Sequence, residues 1–317
     1  MITGILAGIF WAVDTVILGI ALSMTSFLST AQAIVLAPFV STFLHDLCSA
    51  VYSWIYNAIR GNFKKSLKAI KTKSFRWVVL ASAIGAPIGM TGYILSISYM
   101  GASIGAIASA IFPAIGAILA RIFLKEKMKW YQWLFLLACL GGVYGLSYSP
   151  DINITNFWLG LIGTLMCAIG WGVEAVIVAH GLKDPEMTDE IALQTRQTTS
   201  CLIYAALILP IMKGWSFTAS LFDFASTGWL IPLIALAAIF GTASYICYYA
   251  SIRKIGASKA MALNVSYVAW SILFTLMITR DASSVSWITI VCGLAVLVCG
   301  ILAATDFKNF KKASKIN

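Results

Sequence analysis

The chain has 317 residues, of which 60% are hydrophobic and 11% charged, and a formal net charge of +10; its mean hydropathy is +0.90. A water-soluble domain of that length does not tolerate so little charge, so the solvent this chain is built for is a lipid bilayer. The charge excess needs no nucleic acid as partner, because the basic residues are dispersed over short loops, where they are placed to meet anionic membrane lipid.

A spanning helix needs about 20 predominantly apolar residues. Ten such runs follow one another, centred near residues 12, 44, 88, 113, 139, 168, 202, 240, 267 and 295. They predict an all-α integral membrane protein of ten transmembrane helices with no room for a soluble domain. The first run has no basic leading segment and no small-residue cleavage site, so it reads as a retained helix rather than a signal peptide. Trp11 and Asp14 lie inside it. The second run holds Pro38, His45 and Asp46, the third Pro87 between Gly85 and Gly89, and the fourth Pro113; these prolines are expected to bend their helices. Trp171 and Glu174 fall in the sixth run, Arg196 and Gln197 in the seventh, Tyr245, Tyr248 and Tyr249 in the eighth, and Asn264, Tyr267 and Trp270 in the ninth.

Small-residue spacing predicts close helix approach at Gly4 and Gly8, Gly85 and Gly89, Gly101 and Gly105, and Gly141 and Gly145. The seven cysteines all sit in apolar runs without a CxxC pair, which predicts packing residues rather than disulfides or metal ligands. Neither His45 nor His180 has a metal-type partner at i+4, and no cofactor is expected. Tryptophans and tyrosines near run ends (Trp54, Tyr56, Trp77, Trp130, Tyr131, Trp133, Trp158 and Trp229) read as an interfacial belt. Asn153-Ile154-Thr155 fits a glycosylation acceptor, a tripeptide too common to carry weight.

Orientation follows from the basic residues. With the N-terminus in the cytoplasm, 19 of the 22 fall on cytoplasmic segments, chiefly Arg60 to Arg76, Arg121 to Lys129, Arg253 to Lys259 and Lys308 to Lys315. Only Lys213 and Arg280 fall on the other side, and Arg196 lies within a run. Both termini are therefore expected in the cytoplasm.

Five ionisable residues lie inside the runs: Asp14, His45, Asp46, Glu174 and Arg196. A charge at mid-helix costs roughly 2.5 to 3.5 kcal/mol on the insertion scale, so such residues face protein, water or a ligand. Their chain positions predict a pair between Arg196 and Asp46, which would leave Asp14 and Glu174 without a basic partner and free to meet a cation. The motif FWAVDTVI at 10 to 17 returns as GWGVEAVI at 170 to 177, placing Trp171 on Trp11 and Glu174 on Asp14. GASIGAIASAIFPAIGAIL, from Gly101, aligns with GASKAMALNVSYVAWSIL, from Gly256, and GYILSISYM before the one with CYYASIRKI before the other. Five helices recur as five more, and an odd number per repeat inverts the second copy, the plan of secondary transporters with a site at the midplane between repeats. The expected organisation is a first five-helix repeat over 1–148, an external connection over 149–156, a second inverted five-helix repeat over 157–305 and a basic cytoplasmic tail over 306–317.

On a helix, residues three or four apart share a face, so each repeat offers an indole beside a carboxylate. Tyr245, Tyr248 and Tyr249 make a second aromatic stripe, and Asn264, Tyr267 and Trp270 a third. A quaternary ammonium has no N–H to donate. Charge and ring faces alone hold it, each ring contributing about 0.5 to 2 kcal/mol. The expected substrate-binding set is therefore Trp11, Asp14, Trp171, Glu174, Tyr245, Tyr248, Asn264, Tyr267 and Trp270, with His45, Asp46, Arg196 and Gln197 as coupling or gating residues.

These repeats, together with FW in the first helix, His45-Asp46, GWGVEAV, Arg196-Gln197, SYICYY and ALNVSYVAW, resemble the drug/metabolite transporter superfamily and its EamA-type members over essentially the whole chain. Within them the resemblance is to bacterial choline transporters of the Lic type, where a neutral residue is expected in place of Asp14. The resemblance implies alternating access in the bacterial cytoplasmic membrane and a small organic cation, choline or a close quaternary amine, as substrate. The rival reading is export of metabolites, polyamines or cationic drugs by the same fold. If substrate and proton compete for one carboxylate, exchange results; if a second carboxylate takes the proton, symport does. No P-loop, H-E-x-x-H or G-x-S-x-G motif is present, so nothing supports an enzyme.

Overall fold

The computed structural model describes residues 1–100, 102–147, 154–280 and 286–307. Among them the longer helices gather into ten stretches: α1 (Ile2–Leu22), α2 (Ala31–Ile59), α3 (Lys73–Met100), α4 (Ala102–Leu119), α5 (Trp130–Ser147), α6 (Phe157–Gly181), α7 (Asp189–Ile203), α8 (Leu230–Ile255), α9 (Ala257–Ile278) and α10 (Trp287–Ala304). No strand occurs among the described residues. Seven of the stretches, α1, α2, α3, α6, α8, α9 and α10, are long and apolar enough to cross a membrane. The other three, which the sequence also predicts as spans, are helical but fall outside that set. Gly101 of one glycine pair, Asn153 of the glycosylation tripeptide and Lys308 to Lys315 of the tail lie outside the described residues.

Local chemistry starts and stops these helices. The side chains of Thr30, Thr72, Asn156, Thr188 and Ser286 each accept a hydrogen bond from the backbone N–H three residues on, satisfying one of the orphan donors of a helix start. α8 ends at Gly256, whose φ of +90° is a backbone that glycine alone adopts without strain. The carboxylate of Glu126 then accepts from the backbone N–H groups of Ala257 and Ser258, at 2.7 and 3.0 Å, and from the Ser258 hydroxyl at 2.7 Å, capping α9. Of the three prolines, Pro87 sits in a widened π-helical turn, Ile84–Gly89, inside α3. Its missing N–H interrupts the α ladder there, whereas α2 and α4 run on through Pro38 and Pro113.

The helices pack in a repeating scheme. α1 lies against α8 and α9, α6 lies against α3 and α4, α2 lies against α7 and α8, α3 also touches α7, and α5 pairs with α10. Gly4 and Gly8 let α1 settle on Leu263 and Ser266 at α9, and Gly85 and Gly89 let α3 settle on Glu174 and Trp171 of α6. The Gly141 and Gly145 pair is only half used: Gly145 meets Cys292 of α10, but Gly141 faces open space and Gly142 takes the contact with Val296. All seven cysteines are free. A buried cluster that includes Val178, Leu182, Met187, Ile191, Ile252, Ala257 and Met261 fills the space where α6 and α8 stop and α9 starts.

Candidate functional site

α1, α2, α3, α4, α6, α7, α8 and α9 all contribute residues to the lining of a cavity of about 740 Å³. It runs from Tyr248, Tyr249 and Glu174 to the opposite end of the bundle, where Leu22, Ile34 and Ser98 line it. The other end is shut by the apolar cluster just described and by polar ties across the loops. There Arg253 bonds the Asp189 carboxylate at 2.7 Å and the backbone carbonyls of Leu182 and Met187 at 2.8 and 2.6 Å. Lys129 bonds Asp306 at the same end, which raises the pKa of its ammonium.

Two groups of aromatic side chains wall the cavity. In one, Trp11 meets Tyr245 edge-on at 5.2 Å between centroids and Tyr267 at 6.4 Å. In the other, Trp171 meets Tyr93 at 5.9 Å and Phe112 at 6.1 Å. Both indoles sit three residues before a buried carboxylate, as the helical period requires. Asp14 and Glu174 are only 3% and 8% exposed, although both line the cavity. Each lies against a glycine that leaves it room: Glu174 against Gly85 of α3, and Asp14, with His45, against Gly241 of α8.

The ionisable groups form one connected cluster, and its pairing corrects the expectation from sequence. Arg196 is within ion-pair distance of Asp46, as expected, but its nearer partner is Glu174, which the sequence left without one. Its Nε donates to Glu174 at 2.9 Å, one terminal nitrogen donates to the Gln197 side-chain carbonyl at 2.7 Å, and that nitrogen is 3.7 Å from Asp46. The guanidinium also lies over the Tyr245 ring at 4.6 Å. Asp14 is not unpaired either, since it meets His45 Nε2 at 3.1 Å while His45 Nδ1 meets Asp46 at 3.3 Å. A neutral imidazole has a single N–H. That one N–H serves only one of the two carboxylates, and a hydrogen bond to the second takes an additional proton, on the imidazole or on a carboxyl. Three carboxylates and one guanidinium leave two negative charges before that proton and one after it, inside a wall that also faces the cavity.

Most sequence-predicted residues converge here. Trp11, Asp14, His45, Asp46, Trp171, Glu174, Arg196, Tyr245, Tyr248, Asn264 and Tyr267 all line the cavity. Two expected residues do not. Gln197 stands behind the wall, accepting from Arg196 and donating to Ser49, which in turn pairs with Thr242 of α8. Trp270 lies one and two helical turns beyond Tyr267 and Asn264, off the cavity lining, with an indole N–H that finds no acceptor among the described residues. Tyr93, Phe112 and Tyr249 line the cavity without having been assigned to it. The repeat contains the signal for the first two: Tyr93 aligns with Tyr248, and Phe112 with Tyr267.

The family description "EamA-like transporter family" matches residues 1–148. Over 271 residues, covering 85% of each chain, the sequence is 30% identical to Protein LicB of Haemophilus influenzae (strain ATCC 51907 / DSM 11121 / KW20 / Rd). A solved crystal structure, 16% identical, superimposes with a TM-score of 0.69 over 96% of this chain and 95% of the other, which is a likeness of fold. With an integral membrane bundle, a cavity walled by aromatic rings and carboxylates, and a relative of that identity, the chain belongs to the EamA-like transporter family of the drug/metabolite transporter superfamily, a family of membrane transporters and not of enzymes.

Proposed function

We propose that the protein is a secondary active transporter of a small organic cation, choline or a close quaternary amine, working by alternating access in a bacterial cytoplasmic membrane. The observation that carries this reading is the pair of aromatic walls, Trp11 with Tyr245 and Tyr267 and Trp171 with Tyr93 and Phe112, standing beside a carboxylate cluster of net negative charge. Such a site suits a cation that offers no N–H. Micromolar affinity needs about 8 kcal/mol, within reach of several rings at about 0.5 to 2 kcal/mol each together with one carboxylate.

Two inverted five-helix repeats, ten spans in all, supply the motion. Exchanging α1 with α6, α2 with α7, α3 with α8, α4 with α9 and α5 with α10 turns the α1 and α8 contact into that of α6 and α3, and the α2 and α8 contact into that of α7 and α3. The same exchange turns the Trp11 and Tyr267 contact into Trp171 and Phe112, and Asp14 with His45 into Glu174 with Arg196. With the basic loops and both termini in the cytoplasm, the cavity opens outward. The additional proton held among Asp14, His45 and Asp46 is the natural coupling ion: a cation arriving at Asp14 competes with it.

The test is thermal stabilisation of the purified protein by choline, with betaine, carnitine, ethanolamine, spermidine and ethidium alongside, followed by uptake into proteoliposomes under an imposed pH gradient. A choline-selective shift and gradient-dependent uptake are expected. A flat response to choline with a shift for spermidine or ethidium would replace this reading with export of polyamines or cationic drugs.

A further inference from the structure

The cavity is larger than its charged end needs. About 740 Å³ is a volume that holds drug-sized ligands, whereas the carboxylates and both tryptophans occupy only the inner end. Toward the mouth the lining becomes mostly apolar, with Leu18, Leu22, Ile34, Val35, Ile94 and Ile97 beside Ser98. A second groove of about 330 Å³ runs along the outside of α1, between it and α9, from Thr15 past Gly19 to Ser23, with Ser271, Thr275 and Ile278 on the facing side. The two spaces share Thr15 and Gly19. Gly19 has no side chain to divide them, and a Cβ built there meets nothing within 4 Å.

We propose that the site accepts quaternary ammonium ions carrying an alkyl tail. The head lies at Trp11, Asp14 and Tyr245, and the tail follows the apolar mouth and leaves past Gly19 into the groove between α1 and α9. This rests on the cation site proposed above and extends its substrate class. The chemistry divides along the cavity: its carboxylates, imidazole and guanidinium are all at one end, so an amphiphilic cation has one favourable orientation, head inward and tail toward lipid. Burial of each methylene in an apolar lining is worth severalfold in affinity when the tail comes from water, and less when it comes from a bilayer.

The experiment uses the full chain in lipid nanodiscs. Choline and a series of alkyltrimethylammonium ions from ethyl to octyl compete with labelled choline, and where choline does not bind, the octyl ion is measured directly. Affinity is expected to rise about tenfold or more from ethyl to octyl. Gly19→Leu, whose side chain enters open space, is expected to lower the octyl-to-choline affinity ratio about tenfold. Partitioning into the bilayer is the same for both proteins and cancels in that comparison. No dependence on chain length, or an unchanged ratio in Gly19→Leu, overturns the tail path while leaving the choline reading intact. Tight octyl binding that is sensitive to Gly19→Leu, with no choline binding, keeps the path and overturns the choline reading.

Discussion

Asp14 and Glu174 stand at the same step of the repeated motif, three residues after a tryptophan, yet the two halves of the molecule hold them differently. Glu174 is tied at 2.9 Å to Arg196, a cation with a permanent charge. Asp14 is tied at 3.1 Å to His45, whose charge depends on one proton and which divides its contacts between Asp14 and Asp46. The second half therefore carries a fixed ion pair, braced through Gln197, Ser49 and Thr242 into α2 and α8. The first half carries a pair whose basic partner is titratable, and on the proposed mechanism its carboxylate is the one released to substrate. On that reading, repetition of the sequence yields one fixed and one exchangeable version of the same element.

The largest expected effect comes from removing the fixed cation. Arg196→Met leaves Glu174 and Asp46 buried without their guanidinium, which costs about 3 to 5 kcal/mol; thermal unfolding in detergent should show a large loss of stability. His45→Gln, which keeps a hydrogen-bonding side chain beside Asp14, should lose clearly less. If the two variants melt alike, the distinction between fixed and exchangeable pairs fails.

Ligand affinity sharpens the same contrast in the opposite direction. Asp14→Asn should weaken choline about tenfold or more, since it removes the charge that a bound cation would meet at close range. Glu174→Gln should weaken it less, about threefold, because Arg196 already compensates that carboxylate. Calorimetric titration at fixed pH checks the order, and equal losses would assign both carboxylates the same role.

The aromatic walls are nearly equivalent, so their effects should be matched and smaller. Trp11→Leu and Trp171→Leu should each cost about 0.5 to 2 kcal/mol of choline binding, with Phe112→Leu at the lower end of that range. Trp77→Leu is the control. That indole is on α3, 42% exposed and packed edge-on against His180 at 5.4 Å, away from the cavity lining, and its loss should leave choline affinity unchanged.

Much of the site was legible because helical periodicity and the repeat are local properties. Trp11 with Asp14 and Trp171 with Glu174 could be placed on shared faces from spacing alone. Tyr93 and Phe112 were visible in principle as the repeat partners of Tyr248 and Tyr267, but an isolated tyrosine or phenylalanine in an apolar run looks like any packing residue. Trp270 lies off the cavity lining for a different reason: it shares the helix Tyr267–Thr279 with Tyr267 but stands about one turn further along it, and spacing fixes a face without fixing where along the helix the cavity ends.

By itself the sequence determined the solvent, the helical class, the family and the set of buried ionisable residues, since apolar run length, charge scarcity and repeated motifs are all written along the chain. Only the tertiary structure decided the pairing among those residues. Which carboxylate Arg196 reaches depends on the positions of α2, α6, α7 and α8 relative to one another, and on Gly85 and Gly241 leaving room for the groups that approach them. Partners that lie 22 and 31 residues apart in the chain meet because helices pack, a distance over which no local periodicity carries information.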